Sequence, residues 1–311
     1  MLKVVAIGGG TGLPALLRGL KYYTKDITAI VTVADDGGSS GRLRDELKMP
    51  PPGDIRNCLL ALANTEPLME KLFQYRFDTG FLKGHSFGNL FLAALTEVLG
   101  DFELAIKESS KVLAVSGQVI PSTLDDVTLM AEYEDGSVAI GESLIPRINR
   151  KIRKVKLIPE DARPLTEAIE AIKKADAIII GPGSLYTSII PNLLIKEIKE
   201  AIENSGAKKI FVVNIMTQPG ETDNYTAYDH IKAIVDHAGE KVIEYVLVNV
   251  EKIPEKLLKK YKDEGSIPVL VDEEKIISVG YKIIKSEVLS FNEVIRHDSE
   301  KLAREIMNLF S

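Results

Sequence analysis

The sequence predicts a doubly wound α/β fold: a mostly parallel, Rossmann-like sheet with helices on both faces and a small antiparallel β insertion. Three observations carry that expectation. Short apolar runs end in glycine-rich loops at Gly8–Gly12 and again at Gly181–Gly183. Helical spacing follows the first loop and a second β-branched run follows that helix, which is the opening of a βαβ unit. Only the stretch around residues 125–158 breaks the rhythm, with a hairpin signal at Glu134-Asp135-Gly136.

Taken in order, residues 2–7 are an apolar run that reads as a buried parallel strand. Residues 14–23 have helical spacing, with Pro14 where a first-turn proline is tolerated. Residues 27–34 form the second strand, ending at Asp35-Asp36-Gly37-Gly38. Pro50-Pro51-Pro52-Gly53 marks a loop, and Asp54 is expected to cap a helix over 55–64. Another helix is expected over 86–99. Residues 127–133 and 137–145 are the arms of the hairpin, with 155–158 beside them. The α/β rhythm resumes with strands at 177–180, 209–214 and 245–249, and helices at 193–204 and 228–238. A final helix, capped by Asp298, is expected to close the chain. There is no repeat and no linker, so residues 1–311 are expected to form one domain.

Composition narrows the function. The 311 residues are 45% hydrophobic and 27% charged, an ordinary globular balance. A net charge of -6 argues against broad nucleic-acid binding, which needs a basic excess. The single cysteine, Cys58, allows no intramolecular disulfide and reads as core. No apolar run approaches the roughly 20 residues of a membrane span, and Met1-Leu2-Lys3 leads straight into a strand, so a cytoplasmic location is expected. The histidines lack metal-ligand spacing, so a zinc site is not expected.

Six segments carry the chemistry. Gly9, Gly10, Thr11 and Gly12 follow a strand and precede a helix, where backbone N–H groups and the helix's positive end suit a phosphate. The spacing is neither the dinucleotide fingerprint nor a P-loop, and a tight turn needing positive φ is the alternative. Asp35 and Asp36 stand at a strand's carboxyl end, where they could take a ribose hydroxyl, a divalent ion, or one of each, a solvated loop with a turn at Asp36-Gly37 being the alternative. Ser39, Ser40 and Arg42 add donors. Gly84-His85-Ser86-Phe87-Gly88 matches a nucleophile elbow as a string. The residues before it are not a buried strand, so Ser86 is read as a helix cap with His85 and Asn89 facing a ligand. Gly181, Gly183, Ser184 and Tyr186 repeat the logic of the first loop. Asn214, Thr217 and Gln218 could read a base edge or a sugar amide. Arg296, before the last helix, could bind a phosphate, but from this segment alone an exposed arginine beside a capped helix is the default reading.

With these residues in view, the chain resembles the YvcK/GlmR-type gluconeogenesis factors, relatives of the CofD transferases. The resemblance runs through Gly8–Gly12, Val33–Gly41, Pro51–Arg56, Gly84–Asn89, Gly181–Ser188, Met216–Thr222 and Arg296–Asp298. It implies a regulator that binds UDP-N-acetylglucosamine, controls a protein of amino-sugar synthesis, and supports cell shape and wall synthesis during gluconeogenic growth. It also implies that Arg296 contacts the UDP-sugar, that NAD(P) can enter the site, and that Ser299 stands where relatives carry a phosphorylated threonine. A homo-oligomer is expected. The competing reading is a magnesium-dependent nucleotidyl or phosphoryl transferase acting on a sugar phosphate, with Asp35 and Asp36 holding the ion. A nicotinamide-dependent dehydrogenase is weaker, because the dinucleotide fingerprint is broken.

Overall fold

A computed structural model describes residues 1–290 and 294–310. The chain opens with β1 (Val4–Gly8), α1 (Gly12–Leu20) and β2 (Ile27–Val31), then α2 (Gly38–Leu47), α3 (Gly53–Leu62), α4 (Pro67–Gln74), α5 (Phe87–Leu99) and α6 (Phe102–Val112). Next come β3 (Gln118–Pro121) and the insertion strands β4 (Thr128–Tyr133), β5 (Val138–Ile140) and β6 (Ile152–Ile158). The second half supplies α7 (Thr166–Lys174), β7 (Ala177–Ile180), α8 (Ile190–Leu193), α9 (Lys196–Asn204), β8 (Lys208–Val212), α10 (Ala227–Ala238) and β9 (Tyr245–Asn249). It ends with α11 (Glu255–Asp263), α12 (Glu273–Ser278), β10 (Lys282–Ser286), β11 (Leu289–Ser290), β12 (Arg296–His297) and α13 (Ser299–Met307).

Seven strands form one parallel sheet in the order β10-β9-β8-β7-β1-β2-β3. The chain starts in the middle, winds out through β2 and β3, and returns to the other side of β1 through β7. The order therefore reverses between β1 and β7, where Ile7 pairs with both Ile30 and Ile180. In a doubly wound sheet that reversal opens a crevice at the strands' carboxyl ends, the usual place for a ligand.

Both sheet faces are covered, which is why the central strands are apolar throughout rather than alternating. Val5 and Ile7 face one core with Ile172, Ile198 and Ile231 of α7, α9 and α10. Val4 and Ala6 face the other, with Leu16 of α1, Ile55 of α3 and Leu302 of α13. The antiparallel sheet β5-β4-β6 belongs to the first core through Leu129, Tyr133 and Val155. Cys58 is fully buried in the second.

Several sequence expectations move. The second hairpin arm stops at Ile140, and Glu142–Arg147 winds into a 3-10 helix. The expected helix over 193–204 divides into α8 and α9. Asp54 is not the cap of its helix, which begins at Gly53 behind Pro52. The sheet's two outer strands, β3 and β10, carry little signal. One is four residues with a proline, and the other has two partly buried isoleucines between exposed lysines, as a half-covered edge allows. Asp298 does cap α13, accepting from Glu300 N and Lys301 N at 3.0 and 2.9 Å.

Candidate functional site

The two glycine loops meet at the β1/β7 reversal because neither has a side chain in the way. A Cβ on Gly12 would overlap the Pro182 carbonyl oxygen and come within 2.9 Å of Gly183 N. Gly10 takes φ +62°, which a bulkier residue adopts only with strain. The glycine content thus first serves close packing of loop on loop.

Each loop is held by a polar side chain from another element, and the two holders differ. Gly10 N donates to the Asp54 carboxylate of α3 at 2.6 Å. Burial pushes Asp54 up to about 6, with the Gly10 hydrogen bond working in the opposite direction. Gly183 is clasped by a carboxamide: its N–H donates to Asn214 Oδ1 at 3.3 Å, and Asn214 Nδ2 donates to its carbonyl at 2.8 Å. The amide chain continues, with Asn214 Nδ2 reaching Gln218 Oε1 at 3.2 Å and Gln218 Nε2 reaching Ser184 Oγ at 2.7 Å.

A cavity of about 540 Å³ opens above these loops. It gathers Thr11, Gly12, Gly183, Ser184, Asn214, Thr217, Gln218 and Arg296 from the sequence-predicted set. Such a volume suits a small-molecule ligand. Arg296, on β12, is exposed at its rim, and His297 lies beside it. Thr217 is 2% exposed, and its hydroxyl accepts from Ile267 N at 3.0 Å, so it holds the wall together.

The other predicted residues lie elsewhere. Gly9 is buried against Asp54 and Thr32, and Gly181 donates to Ile7 O at 2.9 Å. Tyr186 points into the core, its hydroxyl 2.8 Å from that of Tyr225 and its ring against His237. Asp35 accepts from Gly37 N at 2.8 Å and is hydrogen-bonded by Ser40, and burial holds its carboxyl above the usual range. Asp36 accepts from Ser143 N at 2.8 Å and lines a second cavity of about 660 Å³ with Arg44. Ser39, His85, Ser86 and Asn89 join in a buried network at the start of α5, linked by Ser39 Oγ to His85 Nδ1 and to Asn89 Nδ2, each at 3.1 Å. Burial, then Arg42, lowers the His85 imidazole. Exposed Arg42 donates to Lys83 O at 3.1 Å. Ser86 caps α5, accepting from Asn89 N at 3.2 Å, and no buried strand precedes it.

Three buried carboxyls near the loops carry no sequence signal of that placement. Asp54 reads in sequence as a helix cap. Glu221 lies in the cavity wall, 7% exposed, with Thr187 Oγ1 donating to it at 3.3 Å, and burial raises it to about 7. Glu142, from the 3-10 segment, is raised to about 8 by burial and then by Asp35, Glu221, Asp36 and Asp54. Their convergence depends on elements far apart in sequence, so no local pattern marks it. Among the described residues, no three His, Cys, Asp or Glu side chains converge to hold a metal ion. Asp35 and Asp36 each accept one backbone N–H, from Gly37 and Ser143 respectively.

The sequence model of the family described as 2-phospho-L-lactate transferase CofD matches residues 4–289, and the chain belongs to that family. It is 54% identical over 309 residues to the gluconeogenesis factor of Bacillus subtilis, covering 99% of this chain and 98% of that protein. The gluconeogenesis factor of Halalkalibacterium halodurans is 53% identical over 307 residues, covering 98% and 95%. A crystal structure of a UPF0052 family member from Bacillus halodurans superposes with a TM-score of 0.96 at 52% identity, covering 98% of each chain. Among the described residues no helix is long and apolar enough to cross a membrane.

Proposed function

We propose that this CofD-family chain binds UDP-N-acetylglucosamine in the cavity at the β1/β7 reversal and serves as a ligand-sensing regulator of amino-sugar supply, needed for cell shape and wall-precursor synthesis under gluconeogenic growth. The observation that carries the reading is the chemistry of that cavity. One wall is the carboxamide and hydroxyl chain Asn214–Gln218–Ser184, suited to a base edge or an acetamido group. The rim carries Arg296, suited to a phosphate. The likeness to relatives named gluconeogenesis factors supports it. Calorimetry with UDP-N-acetylglucosamine tests it: Arg296→Ala is expected to weaken binding about tenfold or more, the order of one charge-assisted contact. Equal affinities would remove Arg296 from the site.

A second reading, a transferase acting on a sugar phosphate, draws on the family's description and on Glu221, a buried carboxyl raised to about 7, where a general acid or base works best. Asp35 and Asp36 would hold its expected magnesium, which would neutralise phosphate charge. Incubation with UTP and N-acetylglucosamine 1-phosphate separates the readings. Product formation that Glu221→Gln abolishes would favour the enzyme.

A further inference from the structure

Arg56 on α3 is 9% exposed, yet none of the ion pairs among the described residues includes it. Its partners are neutral. Nη1 donates to Ser86 Oγ and, at 2.9 Å, to Asn89 Oδ1, while Nη2 donates to Asn57 Oδ1 at 2.8 Å. Nε is buried with no partner. A buried charge ordinarily sits against a counter-charge, and a buried donor against an acceptor. Here both conditions are left open.

The surroundings deepen the deficit. Arg56 bonds the capping residue of α5, a 13-residue helix, so a cation rests at the positive end of a helix dipole. Arg76 adds like charge, and the carboxylates that offset Arg56, Asp54 and Asp35, act without touching it. Arg42 lies near enough to depress the His85 imidazole. Around these cations stand Ser39, His85 and Asn89, hydrogen-bonded to one another.

We propose that Arg56, the N-terminus of α5 and the Ser39–His85–Asn89 network form a second anion site, which takes a phosphate group. None of these residues lines the cavity rimmed by Arg296. The site is therefore independent of the nucleotide-sugar reading. A phosphate supplies what the cluster lacks: negative charge for the guanidinium and the helix end, and acceptors for unused N–H groups.

The test uses the full chain with inorganic phosphate, against chloride at equal ionic strength, followed by thermal shift and calorimetry. Wild type is expected to bind phosphate and to melt higher in it. Arg56→Gln removes the charge but risks the fold, so the deciding variant is Asn57→Asp. It sets a carboxylate on Nη2 and fills the site from within. That variant is expected to fold, to melt higher than wild type in chloride, and to bind phosphate at least tenfold more weakly. Because inorganic phosphate can also meet Arg296, the Asn57→Asp comparison is repeated in an Arg296→Ala background, where the weakening is expected to persist. An N-acetylglucosamine 1-phosphate arm in the same Arg296→Ala background separates the sources: tighter binding than inorganic phosphate that Asn57→Asp removes assigns the site to a phosphoryl group on a larger ligand, and equal binding to the free ion. No phosphate response in wild type, or an undiminished one in Asn57→Asp, overturns the proposal.

Discussion

The two glycine loops look alike in sequence and sit side by side, but they are held by opposite kinds of group. Gly8–Gly12 is held by Asp54, a carboxylate that burial pushes up to about 6. Gly181–Gly183 is held by Asn214, a carboxamide with no charge to lose. A phosphate approaching the first loop meets a negative charge already on Gly10 N. One approaching the second meets a neutral, polar wall. Glycine-rich turns of the same sequence logic can therefore differ in function according to what a distant helix or strand places against them.

The comparison breaks first at the contact between the loops. Gly12→Ala drives a methyl group into the Pro182 carbonyl, and backbone cannot swing aside as a flexible side chain can. The expected cost is about 3 kcal/mol or loss of the fold, at the upper end of overpacking changes. Urea unfolding measures it, and a loss under about 1 kcal/mol would mean that the loops are not locked together.

Exchanging the two holders sharpens it. Asn214→Asp is expected to weaken UDP-N-acetylglucosamine binding about tenfold to a hundredfold by setting a charge against the diphosphate. Asp54→Asn, which keeps an acceptor for Gly10 N, is expected to strengthen it up to about tenfold at pH 7.5. Calorimetry on both variants decides; changes of the same sign would show that charge is not what separates the loops.

A smaller effect concerns pH. Glu142 and Glu221 have native values of about 8 and 7, above the ordinary carboxyl range, so between pH 7 and 9 the native state binds more protons than the unfolded one. Their contribution to stability is complete below the unfolded values and is lost as pH rises through 7 and 8. The histidines with resolved shifts are lowered, so they have little part in that window. The melting temperature is expected to fall by about 4 °C or more from pH 7 to 9, and Glu142→Gln to flatten the slope. A wild-type profile level across that range would contradict the burial assigned to these groups.

The sequence made the central strands legible because a strand buried on both faces needs an unbroken apolar run, and β1, β2, β7 and β9 have one. It made the loops legible because strand-to-helix turns need glycine and polar caps, and Ser86 and Asp298 cap as their residue types suggest. The outer strands escaped, since a half-covered edge imposes no such composition. Tyr186 was drawn toward the ligand by its neighbours Gly183 and Ser184, but the turn after Ser184 rotates it into the core beside Tyr225.

By itself the sequence determined the doubly wound architecture and the loops that crown it, because periodicity and turn chemistry are local properties. Only the tertiary structure decided that Asp54 holds the first loop, that Glu142 and Glu221 join the acidic cluster, and that Arg56 is buried without a carboxylate against it. Each of those facts sets a charged group against groups from other elements, as Asp54 against Gly10 N across 44 residues of chain. The energy of a charge depends on what surrounds it in space, and no stretch of sequence records that.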